Sequence, residues 1–117
     1  TIDDEKNKQI ESLKDFMIEK EPYLDSSLTI QDLAEQLKMP VKDLSVLINL
    51  YMNKHFFDFI NEYRIEKAKK ILRDSSQKSL TILEILYQVG FNSKSSFSTS
   101  FKKYTGKTPT DFKKNSF

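Results

Sequence analysis

The apolar residues of this chain recur at helical spacing, and the clearest pattern lies within residues 80–106. Thr81 followed three residues later by Glu84 forms a capping box, the usual start of a helix. Apolar side chains then fall on one face of that helix, at Ile82, Ile85, Leu86 and Val89. Gly90 follows them, and a glycine in this position typically adopts the left-handed conformation that ends a helix. The pattern predicts a short amphipathic helix and a tight turn.

A second helix is predicted directly after that turn, with Asn92 or Ser93 as its cap. Phe97 and Phe101 share one face of it. The opposite face carries small polar side chains and cations: Lys94, Ser95, Ser96, Ser98, Thr99, Lys102 and Lys103. Such a face suits the DNA major groove, where polar tips read base edges and lysines meet phosphates. A solvated amphipathic helix in an ordinary bundle would show the same pattern, so this stretch alone does not decide between them.

The whole pattern occurs twice in the chain. Residues 28–39, LTIQDLAEQLKM, align without gaps on residues 80–91, LTILEILYQVGF. After a one-residue insertion in the second copy, the alignment resumes with Leu44 opposite Phe97. The repeat predicts two helix-turn-helix units in one chain. Shared ancestry of two purely structural hairpins would give the same alignment, so the repeat supports the fold more firmly than it supports DNA binding.

These stretches together resemble the DNA-binding domain of the AraC/XylS family of bacterial transcription regulators, over roughly residues 10–114. The most specific parts are the tandem units, the linking FFDFINEYRIEKAKKIL, the run GFNSKSSFSTSFKKYTGKTP and the closing Pro-Thr-Asp-Phe. The resemblance implies an all-α fold of two helix-turn-helix subdomains joined by a long linker helix, about seven helices in all. It also implies sequence-specific binding of double-stranded DNA, as the output domain of a regulator.

We divide the chain into four segments on this basis. They are an N-terminal supporting helix (residues 1–27), the first helix-turn-helix (28–54), the linker helix and a polar joint (55–79), and the second helix-turn-helix with a short C-terminal helix (80–117). A linker helix of ~20 residues spans ~30 Å, and one turn of DNA is ~34 Å long. We therefore expect the two recognition helices to enter successive major grooves.

The family pattern also assigns DNA contacts residue by residue. In the first recognition helix, predicted over residues 41–51, the base-reading positions are Lys42, Ser45, Val46 and Asn49. In the second they are Lys94, Ser95 and Thr99. We assign phosphate contacts to Ser96, Ser98, Lys102 and Lys103, and backbone amides near Asn92 and Ser93 would add an anion site at the helix start. By their chemistry, Asn49 suits adenine and Val46 suits a thymine methyl group.

The first recognition helix departs from the family pattern. Many family members carry Arg or Lys where this chain has Val46, Asn49 and Leu50, whereas this helix has one Lys and one Asp and is neutral. Pro40 also stands where a capping Ser is usual. An alternative therefore stays open: a helical protein-interaction module of the same fold, with weak or lost DNA binding, that docks RNA polymerase or a partner subunit.

Composition and charge agree with one small helical domain. With 117 residues, 38% hydrophobic content and nine Phe, the chain can bury a single core. Residues 1–27 hold eight acidic and four basic side chains, while residues 28–117 hold nine acidic and fifteen basic ones. Clustered lysine near the second unit is expected of a phosphate-binding surface, although a solvated lysine-rich tail would look alike.

Other classes of function find little support in the sequence. The chain has no cysteine, which excludes disulfides, thiolate zinc sites and a cysteine nucleophile. His55 is the only histidine, so we expect no metal site, no catalytic triad, no cofactor and no enzymatic activity. No run of ~18 apolar residues appears, so we expect no membrane contact by this domain and a cytoplasmic, nucleoid-associated location. The start in TIDDEK predicts a fragment whose absent N-terminal region carries sensing and dimerisation, and a membrane anchor in that region stays open.

Overall fold

The computed structural model of this chain describes the backbone of residues 2–116 and the side chains of residues 3–116. Over that range it contains helices and turns and no β-strand. The α-helices are α1 (Ile2–Lys20), α2 (Ile30–Leu37), α3 (Val41–Val46), α4 (Phe56–Arg73), α5 (Ile82–Gln88), α6 (Lys94–Thr105) and α7 (Pro109–Lys114). The predicted all-α class and helix number are confirmed.

The chain forms two compact units, Thr1–Ile60 and Asn61–Phe117, and the boundary between them falls within α4. The first unit thus contains α1 to α3, and the second contains α5 to α7. The four-segment division made from the sequence stays a prediction.

The core of the first unit is largely aliphatic and also contains the buried rings of Tyr23 and Phe59. Its fully buried side chains include Leu13, Met17, Leu28, Leu33, Leu44, Leu47 and Ile48. α2 packs on α3, and α1 packs on the turn that follows α3. Burial of an aliphatic side chain of this size contributes about 1.5–3 kcal/mol, so α1 supports the first helix-turn-helix as the sequence indicated.

Each helix-turn-helix begins with the same capping box. The Thr29 hydroxyl accepts a hydrogen bond from the Asp32 amide at 3.1 Å, and the Asp32 carboxylate accepts one from the Thr29 amide at 3.1 Å. In the second unit, Thr81 and Glu84 make the same two bonds at 3.1 and 3.2 Å. Each box satisfies two amides that a helix start would otherwise leave unpaired. The predicted box at Thr81 is confirmed.

Each unit also contains two left-handed residues at matching positions. Lys38 (φ 57°) follows α2 and Gly90 (φ 104°) follows α5, while Asn53 (φ 55°) and Gly106 (φ 76°) occur at the second pair of positions. After Lys38 and after Gly90, the next amide donates to the carbonyl five residues back, at 3.0 and 2.9 Å respectively. That bond is typical of a Schellman helix end. The backbone therefore repeats more faithfully than the residue types do.

The first recognition helix differs from its prediction in one respect. A regular helix was expected over residues 41–51, but α3 ends at Val46 and continues as a π-helical turn over Leu47–Tyr51. The Met52 amide closes that turn by donating to the Leu47 carbonyl at 3.0 Å. A π turn inserts a residue into a helix and is frequent at functional sites. The second recognition helix is a regular α-helix throughout.

A polar joint precedes the second helix-turn-helix. The Asp74 carboxylate accepts hydrogen bonds from the Ser76 hydroxyl at 2.7 Å, from the Gln77 amide group at 3.1 Å and from the Ser76 backbone amide at 3.0 Å. The Ser76 hydroxyl bond contributes most, and together these bonds hold the pKa of Asp74 below its ordinary value. Further along, the Lys113 ammonium donates to the Leu80 carbonyl, so the last helix is tied to the start of the second helix-turn-helix.

Candidate nucleic-acid interface

The second recognition helix, α6, begins at a serine cap. The Ser93 hydroxyl accepts a hydrogen bond from the Ser96 amide at 3.2 Å and donates one to the Ser96 hydroxyl at 3.0 Å. Of the two residues predicted as the cap, Asn92 and Ser93, Ser93 fills the position. Gly106 ends the helix, and its amide donates to the Lys102 carbonyl at 2.8 Å.

The inner face of α6 is held by a row of four phenylalanines. Phe97 and Phe101 are fully buried in the core of the second unit. The ring of Phe91 lies 5.3 Å from that of Phe97, Phe97 lies 5.6 Å from Phe101, and Phe101 lies 5.3 Å from Phe112. Edge-to-face and tilted pairs at these distances contribute about 0.5–1.5 kcal/mol each beyond their burial. The predicted aromatic anchor of α6 is confirmed, with two further members.

Both ends of this aromatic row meet an arginine of α4. The Arg64 guanidinium lies 5.6 Å from the centre of the Phe91 ring, and the Arg73 guanidinium lies 5.0 Å from the centre of the Phe112 ring. Arg64 is only 5% exposed and donates to the Asn61 side-chain carbonyl at 2.8 Å. These are the two arginines of the chain. They join α4 by cation–π contacts to the turn before α6 and to α7, which no local sequence pattern indicated.

The outer face of α6 is open to solvent. All seven residues assigned to it are exposed: Lys94, Ser95, Ser96, Ser98, Thr99, Lys102 and Lys103. Asn92 before the helix is exposed as well, and Ser93 is half-buried by its role as the cap. The helix contains no acidic side chain. Cations and hydroxyls are therefore presented together, which is the chemistry that phosphate and base-edge contacts need.

A shallow depression of about 420 Å³ lies at the C-terminal end of this face. It is lined by Ser98, Thr99, Lys102, Lys103 and Thr108. Thr108 was not among the predicted contacts, because in sequence it reads as the cap of α7. Its hydroxyl does accept from the Asp111 amide, at 3.1 Å. Capping α7 therefore places Thr108 beside the lysines of α6.

The first recognition helix presents a mixed face. Lys42 and Asn49 are exposed, while Ser45 and Val46 are half-buried. The Asn49 side-chain nitrogen donates to the Ser45 hydroxyl at 3.0 Å, so these two predicted base readers are hydrogen-bonded to each other. Pro40 precedes the helix and makes no side-chain cap bond. All four assigned residues thus reach the surface, two of them as a pair.

The two recognition helices start in register, because α3 and α6 begin at positions that the repeat aligns. The aligned pairs are Val41 and Lys94, Lys42 and Ser95, Ser45 and Ser98, Val46 and Thr99, Asn49 and Lys102, and Leu50 and Lys103. Three lysines of the second helix are thus replaced by Val, Asn and Leu in the first. Leu50 is 71% exposed and Val41 is 37% exposed, so these substitutions leave apolar side chains in solvent.

Comparison with known proteins decides the family. A family model described as a helix-turn-helix domain matches residues 33–115, which is most of the chain and includes both recognition helices. The chain belongs to the AraC/XylS family of helix-turn-helix transcription regulators. The resemblance inferred from the tandem units and the C-terminal run is therefore confirmed.

Relatives and solved structures of this AraC-family domain agree. A transcriptional regulator of Pseudoalteromonas carrageenovora is 48% identical over 65 residues, covering 56% of this chain and 36% of that protein. The melibiose operon regulatory protein of Escherichia coli K12 is 32% identical over 77% of this chain and 29% of that protein. The C-terminal domain of the two-component response regulator yesN from Fusobacterium nucleatum has a TM-score of 0.72 and 32% identity, covering 91% of this chain and 98% of that domain. The chain spans about a third of the length of these two curated relatives.

Two other kinds of site do not occur in residues 2–116 of the AraC-family domain. Between residues 2 and 116, no helix is long and apolar enough to span a bilayer. Within the same range, no three acidic or histidine side chains converge as metal ligands would. The exposed lysines and hydroxyls of α6 remain the surface with the clearest chemistry.

Proposed function

We propose that this AraC-family domain binds double-stranded DNA in a sequence-specific manner, as the output domain of a bacterial transcription regulator. One observation carries the proposal: α6 exposes three lysines among hydroxyl side chains, with no acid on the helix, while its other face is locked into the core. A rigid helix with this face matches the width and polarity of the major groove.

The second recognition helix supplies most of the charge. We assign base contacts to Lys94, Ser95 and Thr99. Lys94 can donate to guanine acceptors, and Thr99 combines a hydroxyl with a methyl group. Phosphate contacts fall to Asn92, Ser93, Ser96, Ser98, Lys102 and Lys103. Neither recognition helix contains arginine, the strongest guanine reader, so we expect modest affinity for the domain alone.

The first recognition helix completes the DNA contact in the next major groove. Its base readers are Lys42, Ser45, Val46 and Asn49. Support comes from the repeat, because α3 begins at Val41, which aligns with Lys94 at the start of α6.

The remaining assignments concern the whole regulator. This domain covers about a third of the length of the two curated relatives described above. We therefore assign sensing and dimerisation to the part of the full-length protein outside the match. RNA polymerase is the further partner that a regulator of transcription needs. A domain acting on chromosomal DNA works in the bacterial cytoplasm, and we assign it a binding role without catalysis.

Lys102→Ala tests the phosphate contact on which the proposal depends. The plot of log K against log salt has a negative slope, and losing one phosphate contact should make that slope shallower by about 0.9. The measurement is a salt titration of binding to a duplex selected from a random DNA pool. Lys20→Ala in α1 is the matched control, since it removes an exposed lysine outside the interface and should leave the slope unchanged. An unaltered slope for Lys102→Ala would remove this contact, and binding without base preference would contradict sequence-specific recognition.

A further inference from the structure

We propose that the first recognition helix is selective for A·T base pairs, with Asn49 reading adenine and the Val46 and Leu50 side chains meeting thymine methyl groups. The inference rests on the proposed function and narrows the DNA that it recognises. It follows from a side-chain hydrogen bond and from apolar side chains at groove-facing positions.

The Ser45–Asn49 hydrogen bond orients the amide for adenine. Asparagine reads adenine by accepting from N6 and donating to N7. The Asn49 amide nitrogen carries two hydrogens, and one of them is directed to the Ser45 hydroxyl at 3.0 Å. The second hydrogen and the carbonyl oxygen stay available as the donor and acceptor that adenine requires. The bond to Ser45 restricts rotation of the amide before DNA arrives, which lowers the entropic cost of binding.

The apolar residues lie on the same helix edge as this amide. Val46 aligns with Thr99 of the second helix, and Leu50 aligns with Lys103. Leu50 is 71% exposed, so the core does not account for its side chain. The thymine C5 methyl is the apolar group that the major groove displays. Apolar side chains at groove-facing positions therefore match thymine and gain nothing from a guanine edge.

A protein partner is the competing explanation for exposed Leu50. The placement of Leu50 favours DNA, because it adjoins Asn49 and shares the edge with Val46, whose counterpart Thr99 lies on the basic face of the second helix. Lys42 is the one cation among the assigned base readers of the first helix, so guanine recognition there would depend on a single side chain. Recognition of adenine and thymine would use three side chains, those of Asn49, Val46 and Leu50.

The test begins with the 117-residue chain and a random pool of duplex DNA. We expect the selected sequences to show A·T pairs at one end of the site. Each thymine there is then replaced by deoxyuridine, which removes the C5 methyl and keeps base pairing. Loss of one buried methyl group should lower affinity by about fourfold. Selection with Asn49→Ala should lose the adenine preference at one position.

Leu50→Ala identifies the residue that meets the methyl group. This variant should bind the thymine duplex about fourfold more weakly and should no longer distinguish thymine from uracil at one position. The exposed side chain makes the variant safe for the fold. Thr99→Ser is the matched control, because it removes a methyl from the second helix and should leave the uracil effect at that position intact.

The outcomes separate the two proposals. Selective DNA binding with G·C pairs at that end, or equal thymine and uracil affinity at every position there, would overturn the A·T inference and leave the proposed function standing. A uracil effect of the same size in wild type and Leu50→Ala would overturn the role of Leu50. A chain that shows no base preference overturns the proposed function, and this inference falls with it.

Discussion

The two recognition helices share a backbone and differ in chemistry. Both follow a capped helix and a left-handed turn, and both bury the residue at the same aligned position, Leu44 in one and Phe97 in the other. Their outer faces diverge: the second carries three lysines where the first carries Val41, Asn49 and Leu50. A fold of this kind depends on caps, turns and core, so its exposed positions can change without disturbing it.

The difference extends beneath the surface. The second helix carries two rings of a phenylalanine row that has an arginine at each end, whereas the first buries Leu44 and passes into a π turn. Aromatic and cation–π contacts have preferred geometries, and aliphatic packing has few. The more highly charged helix is thus the more firmly oriented one. This suits the proposed assignment, in which the second helix supplies most of the charge and both helices contact bases.

The largest expected effect on stability comes from truncating the aligned core residues, Phe97 and Leu44, to alanine. Phe97→Ala should lower the free energy of unfolding by about 3–5 kcal/mol, since it removes a buried ring and breaks the aromatic row. Leu44→Ala should cost about 2–4 kcal/mol by the same reasoning. Urea unfolding followed by circular dichroism measures both. Leu50→Ala is the exposed control, with an expected change within about 0.5 kcal/mol. A larger cost at Leu44 than at Phe97 would reverse the proposed order of anchoring.

The next prediction transfers the charge of one helix to the other. Asn49→Lys combined with Leu50→Lys gives the first helix the residues found at the aligned positions of the second. If this helix lies on DNA, the two added cations should each neutralise up to one phosphate charge and steepen the salt dependence by up to about 1.8. Salt titrations on the selected duplex measure the change. The reverse pair, Lys102→Asn with Lys103→Leu, should flatten the slope by a similar amount. If the double lysine variant left the slope unchanged, the first helix would not lie close to the phosphate backbone.

Much of the fold was predictable because its signals are local. The Thr81 capping box, the turn at Gly90 and the buried Phe97 and Phe101 each depend on residues within a few positions of one another, and all appear in the structure. Because residues 28–39 align with residues 80–91, the same helix and turn could be predicted for the first helix-turn-helix. Exposure of the assigned residues on α6 followed from the same helical periodicity.

The missed features depend on contacts that sequence spacing does not encode. The cation–π contact of Arg73 joins residues 39 positions apart, and that of Arg64 joins residues 27 apart. Whether an asparagine bonds its neighbour or faces solvent is a rotamer choice, so the Ser45–Asn49 bond was not visible either. The π turn after α3 and the left-handed Lys38 run against the ordinary preferences of their residues. Such local exceptions persist only where surrounding packing enforces them.

The smallest effect concerns the turns, where the second unit has glycine and the first does not. Lys38→Gly should raise the free energy of unfolding by about 0.5 kcal/mol, because relief of the left-handed backbone, about 1–2 kcal/mol, outweighs the entropic cost of glycine, about 0.5–1 kcal/mol. Lys38→Ala is the control: it removes the lysine but keeps the left-handed strain, so it should not stabilise. Gly106→Ala should destabilise by about 1 kcal/mol through its φ of 76° alone, since a Cβ there meets nothing within 4 Å. Urea unfolding of the three variants measures these changes. If Lys38→Gly were no more stable than Lys38→Ala, the left-handed backbone at residue 38 would not account for a difference in stability between the two turns.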